Sequence, residues 1–266
     1  MHNTKDEITG EPTKDAYEEL VTAFNFYNAR LFDGMLAPVL FTYQRQNMTM
    51  GYYAHHRFIH RTGKAKASEL AINPSYFLNH PVRECLQTLV HEMCHAYQYQ
   101  YGKPSRNGYH NAEWAAIMER VGLMPSDTGK PGGKKTGQRI ADYALPGGPF
   151  ELATNELLEA GFQIAWLDRF PPKEVRPPAL SQVQPASSAG PIESGFIASE
   201  EGRALGTVPM LDTLAPAVRA ELVFVPASVN RSNRLKYSCG CGQNVWGKPA
   251  LRIRCELCDT PFAPTS

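Results

Sequence analysis

Between residues 13 and 33 apolar side chains return at every third or fourth position: Ala16, Tyr17, Leu20, Phe24, Tyr27 and Leu31. That period predicts a helix with a buried aromatic stripe, ended by Gly34. Shorter apolar and aromatic runs follow at 39–43, 50–53 and 70–72, and these predict three strands. From 82 to 101 the helical period resumes through Leu86, Leu89, Val90, Met93, Ala96 and Tyr97, between Pro81 at the start and Gly102 at the end. Glu84, Thr88, His91, His95 and Gln98 project to the opposite side, which predicts a helix with its back on a core and its histidines facing a cleft. Asn111 suits the N-cap of a third helix that runs to Val121, with Gly122 just beyond. The expected fold class is α+β, with a small antiparallel sheet packed on the 82–101 helix.

Past Met124 the pattern loosens. Residues 126–148 hold Lys130, Lys134, Lys135, Arg139 and six glycines, which predicts a mobile basic loop. One short helix is expected at 150–160, stopped by Gly161. Pro171, Pro172, Pro177, Pro178, Pro185 and Pro191, mixed with serines, predict a linker over 167–218. Residues 219–225 read as a strand that introduces the last module. The expected divisions are therefore 13–124, 125–166, 167–218 and 219–266. At 266 residues, 42% hydrophobic and 20% charged, the chain can bury one full core and carry a second small module. No stretch approaches 18 uncharged apolar residues, so no membrane span is expected.

The chemistry concentrates at His91-Glu92-Met93-Cys94-His95. Two imidazoles at i and i+4 on a helix lie about one turn apart and can grip one metal ion. In an H-E-x-x-H helix the histidines bind Zn²⁺, while the glutamate takes a proton from the water that attacks a carbonyl. The spacing predicts a zinc hydrolase, most simply a peptidase. A catalytic zinc needs a third protein ligand. Gln98 and Tyr101 stand where a metzincin has Gly and His, which excludes that subclass, and spacing leaves His110, Glu113 and Glu119 open. A second histidine group at His55, His56 and His60 has no Cys or acidic partner nearby and reads as a surface loop. Cys85 and Cys94 read as packing residues.

At the other end Cys239 and Cys241 are followed, after thirteen residues, by Cys255 and Cys258. Two close cysteine pairs at hairpin separation predict a four-thiolate zinc ribbon. Residues 1–7 show no signal-peptide core, so a reducing, cytoplasmic location is expected rather than disulfides. Net charge is only +1 overall. Locally, residues 229–254 carry Arg231, Arg234, Lys236, Lys248, Arg252 and Arg254 and no acid, which favours a polyanion. Tyr237 and Trp246 add rings on which bases could stack, or else Trp246 is the module's own core.

Phe26-Tyr27-Asn28, Leu31-Phe32-Asp33-Gly34-Met35-Leu36, Leu70-Ala71-Ile72-Asn73, the run from Thr88 to Tyr97, and Gly108-Tyr109-His110-Asn111-Ala112-Glu113-Trp114 together resemble the SprT-like domain. That domain is shared by bacterial SprT proteins and the eukaryotic repair protease Spartan. The resemblance covers roughly residues 17–124. It implies a zincin-like domain with His91, His95 and His110 as zinc ligands and Glu92 as general base. It also implies a following zinc ribbon, so two zinc ions are expected, one catalytic and one structural. The expected partners are protein substrates held on DNA. An adaptor with structural zinc alone and a general zinc peptidase without DNA dependence are the rival readings; an intact Glu92 argues against the first.

Overall fold

A computed structural model describes residues 10–45, 49–106, 108–172, 206–225 and 234–265. The chain forms two compact units, residues 1–225 and 226–266. Residues 1–7, most of the expected linker (173–205) and Arg231 lie outside the described residues.

In the larger unit, helix α1 (Pro12–Leu31) buries Ala16, Leu20, Ala23, Phe24 and Tyr27, the predicted stripe. Tyr27 is anchored at both ends of its side chain. Its ring stacks on Phe150 at 5.9 Å, and its hydroxyl hydrogen-bonds Thr154 Oγ1 at 2.8 Å. The turn after α1 is closed by Asn28, whose side chain exchanges two hydrogen bonds with the Leu36 main chain. Strands β1 (Leu40–Tyr43), β2 (Gly51–Ile59) and β3 (Lys66–Ile72) form one sheet in the order β1-β3-β2. This sheet is mixed rather than antiparallel: β1 runs parallel to β3, and β2 antiparallel to it at the edge. Strand order depends on long-range pairing, which a local pattern does not encode.

Helix α2 (Val82–Tyr101) sits at the centre of the core. Its polar side is not open as expected, because Thr88, His91, Glu92 and Gln98 are buried along with the apolar stripe. Helix α3 (Ala112–Arg120) follows, capped by Asn111, whose side chain accepts from Trp114 N at 2.9 Å. Strands β4 (Leu123–Ser126) and β5 (Ala141–Ala144) then pair antiparallel, so the segment predicted to be a loose basic loop contains an ordered strand. Helix α4 (Pro149–Glu159) closes over α1, its core side formed by Phe150, Ala153, Leu157 and Leu158.

Residues 206–225 return to this unit rather than linking it to the next. Met210 N and Leu211 N donate to His80 O and Leu78 O, and Val223 N and Val225 N donate to Arg169 O and Pro171 O. The expected strand at 219–225 is instead the end of a short helix, Pro216–Ala220, followed by extended chain. The smaller unit is a three-stranded antiparallel sheet of β6 (Leu235–Ser238), β7 (Asn244–Gly247) and β8 (Ala263–Thr265), in the order β7-β6-β8. No helix among the described residues is long and apolar enough to cross a membrane.

Candidate metal centres

His91 and His95 stand one turn apart on α2, and the fold brings His110 to them from the start of α3. The ring centroids are 5.3 Å apart for His91 and His95, 5.0 Å for His95 and His110, and 5.7 Å for His91 and His110. One ligating atom from each lies within 4.8 Å of the others, so the three could hold a metal ion. Trp114, fully buried, packs its indole 4.2–5.1 Å from all three imidazoles.

His110 is held by main chain and by a polar clasp. Its N–H donates to Gly137 O at 2.8 Å and its carbonyl accepts from Gly137 N at 3.0 Å. Gln98 Nε2 on α2 donates to Asn111 Oδ1 and Glu113 Oε2, and the same Glu113 oxygen accepts from Lys103 N. A Cβ at Gly102 would stand 2.7 Å from Glu113 Oε2, so a larger residue there would have to displace the Glu113 carboxylate from this clasp. Glu113 is thus engaged in the loop, and Glu119 pairs with Lys135. Of the three candidates that spacing left open, His110 alone joins His91 and His95 in a grouped donor set.

Sequence reading missed Asp142. Strand β5 carries it, fully buried, to His91, whose Nδ1 donates to Asp142 Oδ1 at 2.8 Å. Gln87 Nε2 donates to the other carboxylate oxygen at 2.7 Å. His110 Nδ1 similarly donates to Gly137 O at 3.2 Å. With Nδ1 occupied on both rings, Nε2 is the nitrogen left for a cation, the usual arrangement around a ligating histidine.

Electrostatics favour neutral rings at two positions. Burial drives His95 well below the ordinary imidazole value, helped by the neighbouring His91 and His110. Burial beside His91 likewise pushes His110 down to about 4. At His91 burial acts downward too, but the Asp142 hydrogen bond and the charges of Glu92 and Asp142 outweigh it and the net shift is upward. Glu92 is buried, which raises its carboxyl above the usual range against the opposing effects of His91 and a hydrogen bond from the Tyr53 main-chain N–H. Tyr53 lies on edge strand β2, so the free carboxylate of the motif faces that edge. His95 and His110 favour the uncharged form, His91 and His110 have Nδ1 engaged so that Nε2 is offered, and three imidazoles so grouped fit a divalent ion such as zinc.

In the smaller unit Cys239, Cys241, Cys255 and Cys258 place their sulfurs within 4.8 Å of one another. Each pair sits in a tight turn: Gly242 N returns to Cys239 O, and Cys255 N to Thr260 O. The Thr260 hydroxyl and main chain hold the Cys258 thiol down at about 6. This four-sulfur group is compatible with a zinc ribbon. Of the two aromatic residues expected to offer stacking rings, Trp246 is exposed and Tyr237 is not. Tyr237 is the buried core residue, its hydroxyl donating to Lys248 O and accepting from Leu251 N, while Trp246 is 63% exposed. Arg234, Lys236, Lys248, Arg252 and Arg254 are all exposed, and Lys236 stands directly across from Trp246 in the sheet. Arg254 is held by Asp259.

His55 and His56 stand on strand β2 rather than in a loop, stacked at 3.7 Å, and neither joins a metal-ligating group among the described residues. Cys85 and Cys94 are core residues, as expected; burial raises both thiols.

A helix carrying two histidines, a third histidine locked beside it and a buried glutamate at a sheet edge make a group that could hold a metal ion. Residues 20–132 match the SprT-like family. Over 59 residues the chain is 39% identical to a Salmonella typhimurium protein described as an uncharacterized protein in the mucB 3' region; the match spans 22% of this chain and 80% of that one. No solved structure matches the chain. The chain belongs to the SprT-like family, a membership consistent with a metalloprotease.

Proposed function

We propose that this protein is a zinc-dependent endopeptidase of zincin type that cleaves proteins held on DNA. The observation that carries the reading is the convergence of His91, His95 and His110 with Glu92 buried between the first two. In this reading the three imidazoles hold the ion and Asp142 keeps His91 in the tautomer that offers Nε2. A zinc ion bound there supplies a Lewis acid that polarises the scissile carbonyl and eases ionisation of water. Glu92 accepts the proton of the attacking water and delivers it to the leaving amine.

The outer edge of β2, which pairs with no second strand among the described residues, supports an extended substrate. Main-chain hydrogen bonds to an added strand give affinity with little side-chain selection, which suits broad specificity. In the smaller unit, the exposed Trp246 beside Lys236, together with the remaining cations, supports a nucleic-acid contact. The four cysteines serve there as a structural zinc site, closed to substrate.

The test is to incubate the purified protein, and its Glu92→Gln variant, with a DNA–protein conjugate and with free protein, with and without DNA. Cleavage confined to the conjugate, or to samples containing DNA, is expected. Glu92→Gln should keep its zinc and lose on the order of 10²–10⁴ in rate. A Gln variant that still cleaves would overturn the role given to Glu92. Equal cleavage with and without DNA would reduce the protein to a general peptidase.

A further inference from the structure

The hairpin formed by β2 and β3 has a one-sided charge. From Gly51 to Ser68 it carries Arg57, Arg61, Lys64 and Lys66 together with His55, His56 and His60, and no acidic residue. Residues 55–66 are all exposed, and none of the four cations is paired with a described carboxylate. The arm is nonetheless built. Phe58 pairs with Ala67 and Ile59 with Lys66, and its tip is closed by His60 N to Ala65 O at 2.8 Å. A bulge between Ala54 and Phe58 redirects the strand, with His56 at φ 48° and its N–H fixed on Ser68 Oγ.

The arm is continuous with the histidine site. Tyr53, whose main chain touches Glu92, packs its ring on Tyr99; Tyr99 stacks on His55, and His55 on His56. Beyond them Phe58 and Ile59 are 37% and 63% exposed. Four clustered cations with no carboxylate partner among the described residues favour a partner with repeated negative charge, and exposed rings beside them match a strand whose bases can be unstacked.

We propose that the β2–β3 hairpin is a DNA-binding arm that grips the phosphates of a single strand next to the histidine site, independently of the cysteine-bearing unit. The choice of DNA rests on the function proposed above; the charge argument does not. Such an arm would position the strand so that a protein attached to it meets the β2 edge.

The test uses the full chain and a fluorescent single-stranded oligonucleotide, with affinity measured by anisotropy across a salt series. One variant carries Arg57→Gln, Arg61→Gln, Lys64→Gln and Lys66→Gln; another neutralises Arg234, Lys236, Lys248 and Arg252 in the same way. Loss of four phosphate contacts should flatten the slope of log K against log salt by about 3, at roughly 0.7 per contact for a single strand. A hairpin variant with wild-type affinity and slope overturns the proposal, as does a wild-type protein that does not bind DNA. Acetylation of Lys64 and Lys66 in the unaltered protein, followed by mass spectrometry, should slow when DNA is added; unchanged labelling overturns the proposal without any variant. Mixed phosphatidylcholine and phosphatidylglycerol vesicles and polyglutamate serve as competing partners. If the hairpin variant loses only these, the arm belongs to a membrane or an acidic protein. DNA binding through the arm by a protein that cleaves nothing would sink the peptidase reading and leave this one standing.

Discussion

The two candidate metal groups differ in what holds them. The three histidines are gathered from one central helix and the entry to another, and the carboxylate behind them comes from a strand fifty-one residues further on. All of this sits in a core that includes Trp114, Leu89, Met93 and Met118. In the smaller unit the buried side chains among the described residues are Tyr237, Cys239 and Cys255, so two of three are themselves sulfur donors. The first group is placed by a fold that exists for other reasons. The second has little beneath it except the ion it would bind.

Chelation tests this contrast most severely. Structural zinc contributes ~10–16 kcal/mol of apparent binding free energy in small thiolate modules, and this becomes folding free energy where no other core exists. Removing metal should therefore unfold the 226–266 unit and leave the larger unit folded. Hydrogen exchange, read unit by unit, checks it; retained protection in β6 and β7 after chelation would show that Tyr237 suffices as a core. Trp114→Ala comes next. Deleting a buried aromatic side chain costs ~3–5 kcal/mol, and here the lost floor lies under all three imidazoles. Thermal unfolding should show the loss in the larger unit alone, together with weaker zinc binding. Asp142→Asn should have the smallest effect of the three. It keeps the shape but can present an N–H to His91 in place of an acceptor, and loss of such a partner typically weakens metal binding ~10–100-fold. Competition with a colorimetric chelator measures it, and unchanged affinity would mean that His91 needs no such support.

What the sequence made legible follows the same division. The H-E-x-x-H spacing and the cysteine quartet are local patterns, and local patterns survive in one dimension; His110 came from the family resemblance, since spacing left Glu113 and Glu119 equally open. Asp142 was hidden because β5 reaches His91 only by pairing with β4, and its flanking glycines and lysines suggested a loose loop. The parallel pairing of β1 with β3 was hidden for the same reason. The hairpin arm was read as a loop because, exposed throughout and bulged at Ala54, it lacks the alternation that burial of one face would impose. The burial of Tyr237, expected as an exposed ring beside Trp246, was hidden because the face each takes is set by strand register, and neither pattern nor size decided it.

The return of residues 206–225 to the larger unit has a consequence for breakage. Both ends of the 173–205 stretch are fastened to one body, through Pro172 on one side and the Met210 and Leu211 bonds on the other. A protease that severed the backbone anywhere within that stretch would leave two fragments still clasped together by contacts that do not pass through the cut. Intact mass on a denaturing gel and intact mass in native solution would then disagree.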